Sequence, residues 1–121
     1  MEIKVLEKQF KVLKLNTPLK RTIDGIFFYA ETLEEYSLVC TVDNQIEGVV
    51  EVESGYKSLK IEGILDFSLI GIISKISSLL AENEISIFVM STFNTDYFMV
   101  KEDQLNKTIA LLKQEGYIVI R

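Results

Sequence analysis

The succession of hydrophobic patterns in residues 58–121 constrains the fold more than any other feature of the chain. Leu59 and Ile61 alternate with polar residues, which predicts a short strand that ends at Gly63. A helix is predicted after Asp66, because the apolar residues that follow recur at the spacing of one helix face. These residues are Leu69, Ile72, Ile73, Ile76, Leu79 and Leu80.

The rest of this half continues the alternation of strands and helices. Residues 85–92 and 97–100 are predicted to be strands, joined by a turn-prone segment rich in Asn, Thr and Asp. A second helix is predicted from Glu102 and Asp103, whose carboxylates favour a helix N-terminus, and a last strand at 117–120. The order β-α-β-β-α-β is that of the ferredoxin-like fold. We therefore expect an α/β (α+β) fold.

The two faces of the predicted strand at 85–92 suit different surroundings. One face suits packing against the helices and carries Ile85, Ile87 and Val89. The other is too apolar to face water and carries Ser86, Phe88 and Met90. About 60 residues is also small for an independent domain. We expect either a second copy in a homodimer or the N-terminal half of the chain to cover this face.

The N-terminal half has strand patterns but no long amphipathic helix. Strands are predicted at residues 10–15, 26–30, 38–42 and 49–52. Residues 32–35 have the form of a capping box, which predicts a short helical turn. This half therefore has the character of a degenerate α/β unit. We predict two units, 1–56 and 57–121, with no evident internal repeat between them.

Composition excludes several functions. The chain has 13 Lys and Arg against 18 Asp and Glu, which argues against binding to nucleic acid, because that binding depends on neutralising phosphates. It has no histidine, so a histidine general base, a Ser-His-Asp triad and a mixed Cys/His zinc site are all excluded. We expect no catalysis, no metal and no cofactor.

The single cysteine and the hydropathy of the chain bear on its location. Cys40 lies in an apolar run, which indicates a buried small side chain rather than a reactive thiol. One cysteine cannot form an internal disulfide, in keeping with a reducing compartment. The first residues lack a signal-peptide core, and no apolar run approaches the ~20 residues of a membrane helix. We expect a cytoplasmic protein that does not contact a membrane.

Three segments resemble a known family. Residues 84–105, EISIFVMSTFNTDYFMVKEDQL, are similar to the second-strand hairpin of a branch of ACT domains. That branch includes short bacterial proteins and the cytosolic arginine sensors of animal TORC1 signalling. Residues 27–38, FFYAETLEEYSL, resemble the first domain of the same family, and residues 63–68, GILDFS, resemble its strand-to-helix loop. The resemblance implies a complete ACT domain preceded by a smaller, degenerate ACT-like unit.

The resemblance also implies a site for a free amino acid. In the arginine sensors four such units share a chain and hold the ligand between the second and the fourth. A chain with half that number would complete the site with a second copy. The implied ligand-binding residues are Ile64, Leu65, Asp66 and Phe67 in the loop, Ser86 and Ile87 on the strand edge, and Glu34 and Ser37 in the first unit.

Each of these residues also has an ordinary structural interpretation. Asp66, with Ser68 as a competitor, fits a helix N-cap, although its carboxylate can equally accept a hydrogen bond from a ligand's ammonium group. The strand-edge residues could serve only strand packing, and Glu34 and Ser37 could lie on the surface of a helical cap. We expect an amino-acid-binding regulatory module. The alternative is a dimerisation or protein-interaction module, docking on a protein target, that has no small-molecule ligand.

Overall fold

The computed structural model describes residues 1–62 and 71–121 and has a mixed α+β fold. Its strands are β1 (Glu2–Leu15), β2 (Phe28–Glu31), β3 (Tyr36–Thr41), β4 (Val49–Ile61), β5 (Phe88–Ser91), β6 (Asp96–Lys101) and β7 (Ile118–Ile120). Its helices are α1 (Ile72–Glu82) and α2 (Leu105–Gln114), the second preceded by a 3₁₀ turn at Glu102–Gln104. Two compact units result. We call residues 1–7 with 57–121 the C-terminal unit and residues 8–56 the N-terminal unit.

In the C-terminal unit, apolar residues of both helices and of the sheet form one core. Its buried members are Ile3, Val5, Leu59, Ile61, Ile76, Leu80, Ile85, Phe98, Val100, Leu105, Ile109 and Leu112. The helical residues of this core recur at the spacing from which α1 was predicted, and α1 ends at Asn83. The ferredoxin-like βαββαβ order predicted from the sequence is confirmed.

The strand order of the C-terminal unit is β7-β1-β4-β6-β5. β7 runs parallel to β1, with Glu2 opposite Ile118. Glu62 N donates to Glu2 O at 2.9 Å and Lys57 Nζ donates to Glu7 O, so β4 is antiparallel to β1. The first residues of the chain are therefore an inner strand of this unit, between the first and the last strand of the βαββαβ arrangement.

Two strand predictions are wrong. The sequence interpretation assigns no strand to residues 2–9, yet Ile3 and Val5 alternate with charged residues and are 0% and 6% exposed. That alternation is itself a strand signal. The predicted strands at 49–52 and near Leu59 are one strand, β4, which runs through Gly55. The φ of +80° at Gly55 is readily accessible only to glycine. The predicted N-terminal unit, 1–56, differs from the observed one at residues 1–7.

The N-terminal unit is a sheet of β2, β3, and parts of β1 and β4, in the order β2-β3-β1-β4. No helix occurs in residues 8–56, all of which the structure describes. Its core consists of Leu13, Leu15, Ile23, Leu38 and Cys40. Cys40 is fully buried, and burial raises the pKa of its thiol, which confirms the prediction of a buried small side chain.

The predicted helical turn at 32–35 is wrong, because these residues close a β-hairpin. Thr32 N donates to Glu35 O at 3.0 Å. Thr32 Oγ1 accepts hydrogen bonds from Glu34 N and Glu35 N, each at 3.1 Å. A Thr hydroxyl that accepts from a nearby N–H serves a turn as well as a helix N-terminus, and here the strands on both sides decide for the turn.

The hairpin β5–β6 repeats the hairpin β2–β3 60 residues later, since Phe88 begins one pairing and Phe28 the other. The first strand has 4 residues and the second 6 in both hairpins. Thr92 repeats the role of the first hairpin's threonine: its N donates to Thr95 O at 2.8 Å, and its Oγ1 accepts from Thr95 N at 3.2 Å. The two units therefore share a repeat that the sequence does not make evident.

Candidate functional site

The eight predicted ligand-binding residues fall into three groups. Ser86 and Ile87 belong to the C-terminal unit, and Glu34 and Ser37 belong to the N-terminal unit. Outside the residues that the structure describes lie Ile64, Leu65, Asp66 and Phe67.

Ser86 and Ile87 lie in an extended segment between α1 and β5. The chain leaves α1 at Asn83 and turns at Glu84, whose φ of +61° is unusual for a residue with a side chain. β5 begins only at Phe88, so the paired strand is shorter than the predicted 85–92. The segment is therefore extended without being part of the observed ladder.

This segment continues an edge of the sheet, because β5 is the last strand of the C-terminal unit. Neither Ser86 nor Ile87 makes a backbone hydrogen bond to another described residue. Ser86 is exposed, whereas Ile87 packs against the helix-side core and is half-buried. Unpaired N–H and C=O groups at such an edge can bind an extended chain or the polar groups of a ligand.

The two faces of this strand match the prediction only in part. Ile85 and Ile87 contact the helix-side core as expected, but Val89 is 42% exposed. On the opposite face, Met90 is 7% exposed and Phe88 is half-buried.

A cleft of about 580 Å³ lies beside residues 84–87. Its wall on α1 consists of Ser77, Ser78 and Ala81. The hydroxyls of Ser78 and Ser86 have no hydrogen-bond partner among the described residues, and Glu84 adds a carboxylate. Hydroxyls beside a carboxylate can bind an ammonium group or a ligand hydroxyl. The α1 residues of this wall were not selected from the sequence.

The end of β4 and residues 86–87 lie at opposite ends of the C-terminal unit's sheet. Thr95 Oγ1 donates to Ile61 O at 2.6 Å, so the start of β6 lies beside the end of β4. β5 is antiparallel to β6, with Ser91 opposite Asp96, which brings the end of β5 to that same end of the sheet. Residues 86–87 precede the end of β5 by about 13 Å of strand. In one copy, the end of β4 therefore lies at one end of this sheet and residues 86–87 lie at the other.

Glu34 and Ser37 lie in the β2–β3 hairpin. The side chain of Glu34 is exposed in the turn, and its backbone N–H is held by Thr32 Oγ1. Ser37 lies in β3, opposite Lys14 of β1 and Ala30 of β2. The backbone of Ser37 is thus in the interior of a sheet, and the predicted helical cap around it is absent from residues 32–37.

The repeated hairpin identifies a segment that the sequence interpretation did not select. Ile26 and Phe27 stand 60 residues before Ser86 and Ile87, and both are 41% exposed. Each segment also follows a residue with positive φ, Gly25 at +76° directly before the earlier one and Glu84 at +61° two residues before the later one. Only the register of the two hairpins makes this correspondence visible.

The described residues carry neither a metal cluster nor a membrane span. Within 1–62 and 71–121, no three Asp, Glu or Cys side chains lie close enough together to hold a metal ion. Neither of the described helices is long and apolar enough to cross a membrane.

Comparison with known proteins identifies relatives of both sequence and fold. A family model of the ACT domain matches residues 51–114, and no curated protein matches the chain. A structural-genomics structure of an Agobacterium tumefaciens protein is similar at 29% identity and a TM-score of 0.88, over 98% of this chain and 91% of that one. A Vibrio cholerae protein of unknown function has 18% identity and a TM-score of 0.74, with 93% and 88% covered. The regulatory subunit of aspartate kinase from Thermus thermophilus has the same fold at 7% identity and a TM-score of 0.65, with 96% and 98% covered.

Proposed function

The chain belongs to the ACT domain family, and we propose that it is a regulatory module that binds a free amino acid and catalyses no reaction. ACT domains are generally small-molecule-binding regulatory modules. The similarity of fold to an aspartate kinase regulatory subunit supports this class of function. The segments that resemble the arginine sensors support an amino acid as the ligand, and the lone, buried Cys40 is in keeping with a cytoplasmic protein.

The observation that carries the proposed site is the arrangement of the C-terminal unit's sheet. In one copy, β4 ends at one end of the sheet and residues 86–87 lie at the other. A second copy, related by a two-fold axis, can present its residues 86–87 to the loop at 64–67. Such a homodimer would hold two equivalent sites, each made of one loop and one strand edge.

Each part of the proposed site suits one group of an amino acid. In the loop, Asp66 accepts a hydrogen bond from the ammonium group, or from a basic side chain of the ligand. Backbone N–H groups at the start of the following helix favour the carboxylate. From the partner copy, the backbone of Ser86 and Ile87 supplies free donors and acceptors, and Glu84 adds a second carboxylate for the ammonium group. Glu34 and Ser37, by resemblance, close over the ligand.

A thermal-shift screen with the twenty amino acids tests this function. A ligand at about a hundred times its dissociation constant adds roughly 2.7 kcal/mol to the free energy of unfolding. We expect at least one amino acid to stabilise the protein, and Zn²⁺ and ATP to have no effect. If no amino acid raises the melting temperature at millimolar concentration, the ligand-binding function is wrong.

Substitution of Asp66 tests its role in ligand binding. The interpretation of Asp66 or Ser68 as the N-cap of the helix is wrong, because α1 begins at Ile72 and its N-cap position is Gly71, whose φ is +82°. Asn has nearly the shape of Asp but no charge, so Asp66→Asn should abolish stabilisation through the interface site and leave the stability of the ligand-free protein unchanged. A full response of the Asn variant would mean that Asp66 does not bind the ligand.

An interaction module without a small ligand is the second candidate function. The first part of β4 favours it, since Val49, Val50 and Val52 are 39%, 57% and 53% exposed. This candidate predicts a homodimer, or a complex with a protein target, whose stability is independent of amino acids. Light scattering over micromolar concentrations measures the dimer, and the thermal-shift screen measures its dependence on amino acids.

A further inference from the structure

A second cleft, of about 450 Å³, lies in the N-terminal unit between the segment after β1 and the turn before β4. Its apolar lining comes from Leu15, Leu19 and Ile46. Charged side chains surround this lining: two cations, Lys20 and Arg21, and one anion, Glu47. The volume is in the range of sites that bind small molecules.

The two walls of this cleft are fixed to each other. Asn16 N donates to Gly48 O at 2.9 Å, and Arg21 Nη1 donates to Gln45 O. Gly48 has a φ of +75°, a backbone conformation that favours glycine over any residue with a side chain. The cleft is thus held in shape by the fold itself, and a ligand need not order it.

The charged groups around the cleft retain unused hydrogen-bonding capacity. Arg21 donates to Gln45 O and, through Nε at 3.3 Å, to Thr22 O, which leaves three of its five N–H groups without a described partner. Lys20 and Glu47 have no hydrogen bond or ion pair with any described residue. Groups of opposite sign thus line one cleft without pairing with each other, an arrangement that complements a ligand carrying both charges.

The apolar lining selects for the rest of that ligand. Leu15 is 6% exposed and belongs to the core of the N-terminal unit, and Leu19 and Ile46 pack against that core. A branched aliphatic side chain would extend this apolar surface and lose its own contact with water. A nucleotide fits less well, because its phosphates would lie beside the unpaired carboxylate of Glu47.

We propose that this cleft is a second ligand site, for a zwitterionic α-amino acid with a branched aliphatic side chain. The ligand's carboxylate binds Arg21 and Lys20, its ammonium group binds Glu47, and its side chain packs on Leu15, Leu19 and Ile46. All of these residues lie within the N-terminal unit. The site is therefore complete in one copy and independent of the interface site under the proposed function.

Nuclear magnetic resonance of the ¹⁵N-labelled full chain tests this site, with L-leucine as the probe. We expect millimolar leucine to shift the backbone amide signals of residues 17, 19–21 and 46–48 in a saturable manner. Two analogues report on the two charges: 4-methylpentanoate lacks the ammonium group, and 3-methylbutylamine lacks the carboxylate. Both should bind more weakly than leucine. If leucine leaves these amides unshifted, there is no such site.

Two variants assign the charged contacts. Arg21→Gln should weaken the binding of leucine about tenfold or more, as expected for the loss of a charge-assisted hydrogen bond. Glu47→Gln should weaken the binding of leucine but leave that of 4-methylpentanoate unchanged. Arg121→Gln, at the exposed C-terminus, is the matched control and should bind as the wild type does. Equal binding of leucine by the Arg21→Gln variant, with its other amide signals unchanged, would overturn the proposal.

The position of the shifted signals separates the two sites. Shifts at residues 17, 19–21 and 46–48 that persist in Asp66→Asn support the second site whether or not the interface site exists. Shifts confined to residues 84–87 would overturn the second site and leave the proposed function intact.

Discussion

At the scale of single residues, Asn44 shows how one buried side chain connects distant parts of a chain. Its Oδ1 accepts a hydrogen bond from Asp24 N at 3.1 Å, and its Nδ2 donates to Asp24 O at 3.1 Å and to Thr41 Oγ1 at 2.9 Å. Asn44 is 4% exposed, and Asn44→Ala removes all three of these hydrogen bonds, so it should cost about 2 kcal/mol. Urea unfolding measures this loss.

The control for Asn44 is Asn94→Ala, in the exposed turn of the second hairpin. A surface substitution of this kind should change the free energy of unfolding by less than ~0.5 kcal/mol. Equal effects of the two substitutions would show that the Asn44 hydrogen bonds do not stabilise the unit.

Asp43 should make the free energy of unfolding depend on pH. Hydrogen bonds from Thr41 Oγ1 at 2.5 Å and from Lys8 Nζ at 2.9 Å lower the pKa of Asp43 from 3.8 to about 2. Because the folded-state pKa is below the unfolded one, the carboxylate stabilises the fold above pH 3.8 and loses this effect as the pH falls to about 2. The wild type should therefore be more stable than Asp43→Asn at pH 6, and this difference should shrink towards pH 2.

Urea unfolding at several pH values between 6 and 2 gives that difference directly. Glu34→Gln, another exposed carboxylate of the same unit, is the control. A difference between wild type and Asp43→Asn that is constant with pH would show that the hydrogen bonds to Asp43 are not maintained in solution.

The residues that could be predicted from the sequence are those whose neighbours along the chain determine their environment. Cys40 was predicted to be buried because the residues around it are apolar. Asn44 could not be predicted, since its partner Asp24 lies 20 residues away. The charged residues of the second cleft are likewise ordinary loop residues until the fold brings 17–21 and 46–47 together.

At the scale of elements, the threonine at the start of each hairpin turn should have the same role. Thr92 Oγ1 accepts from Thr95 N at 3.2 Å and donates to Thr95 O at 3.0 Å. Thr92→Val keeps the shape of the side chain but loses both bonds, and should cost about 1 kcal/mol. Thr92→Ser should retain most of the stability. Thr32→Val tests the repeat, and thermal unfolding measures all three variants.

A Thr92→Val variant as stable as Thr92→Ser would contradict this role of the hydroxyl. A loss in Thr92→Val without a comparable loss in Thr32→Val would show that the two turns are alike in geometry but differ in energy.

Helices were easier to predict than strands because helix formation is local. The apolar spacing of α1 and its end at Asn83 follow from residues within a few turns of one another. β1 and β4 have 14 and 13 residues, longer than usual strands, and each contributes to both units. Their length depends on pairing with strands far away in the chain. The prediction of a helical turn at 32–35 was wrong for a similar reason, since the strands on both sides of it determine that it closes a hairpin.

At the scale of the whole molecule, the ferredoxin-like arrangement could be predicted from the order of hydrophobic patterns. The family could be predicted from the hairpin motif, and the match to residues 51–114 confirms membership of the ACT domain family. The duplicated hairpin could not be predicted, since it becomes visible only in the pairing of the strands, which matches at a separation of 60 residues. Neither could the separation of residues 86–87 from the end of β4, which depends on strand order.

The central claim is that one amino-acid site is built from the loop of one copy and the strand edge of another. Two variants that each damage one side test it: Asp66→Ala in the loop, and Ser86→Pro, which removes a backbone donor from an edge without a described partner. A homodimer of either variant has no intact site. A mixed dimer has one site that carries both changes and one site that carries neither.

Calorimetric titration of the mixed variants, with the amino acid that stabilises the wild type most, is the most direct measurement. Native mass spectrometry verifies that mixed dimers have formed. We expect either variant alone to lose binding at the interface site, and their equimolar mixture to regain it at about a quarter of the wild-type stoichiometry with wild-type affinity, since about half of the dimers are mixed and each has one intact interface site. Verified mixed dimers that do not regain the lost binding, or undiminished binding by either variant alone, would contradict the shared site.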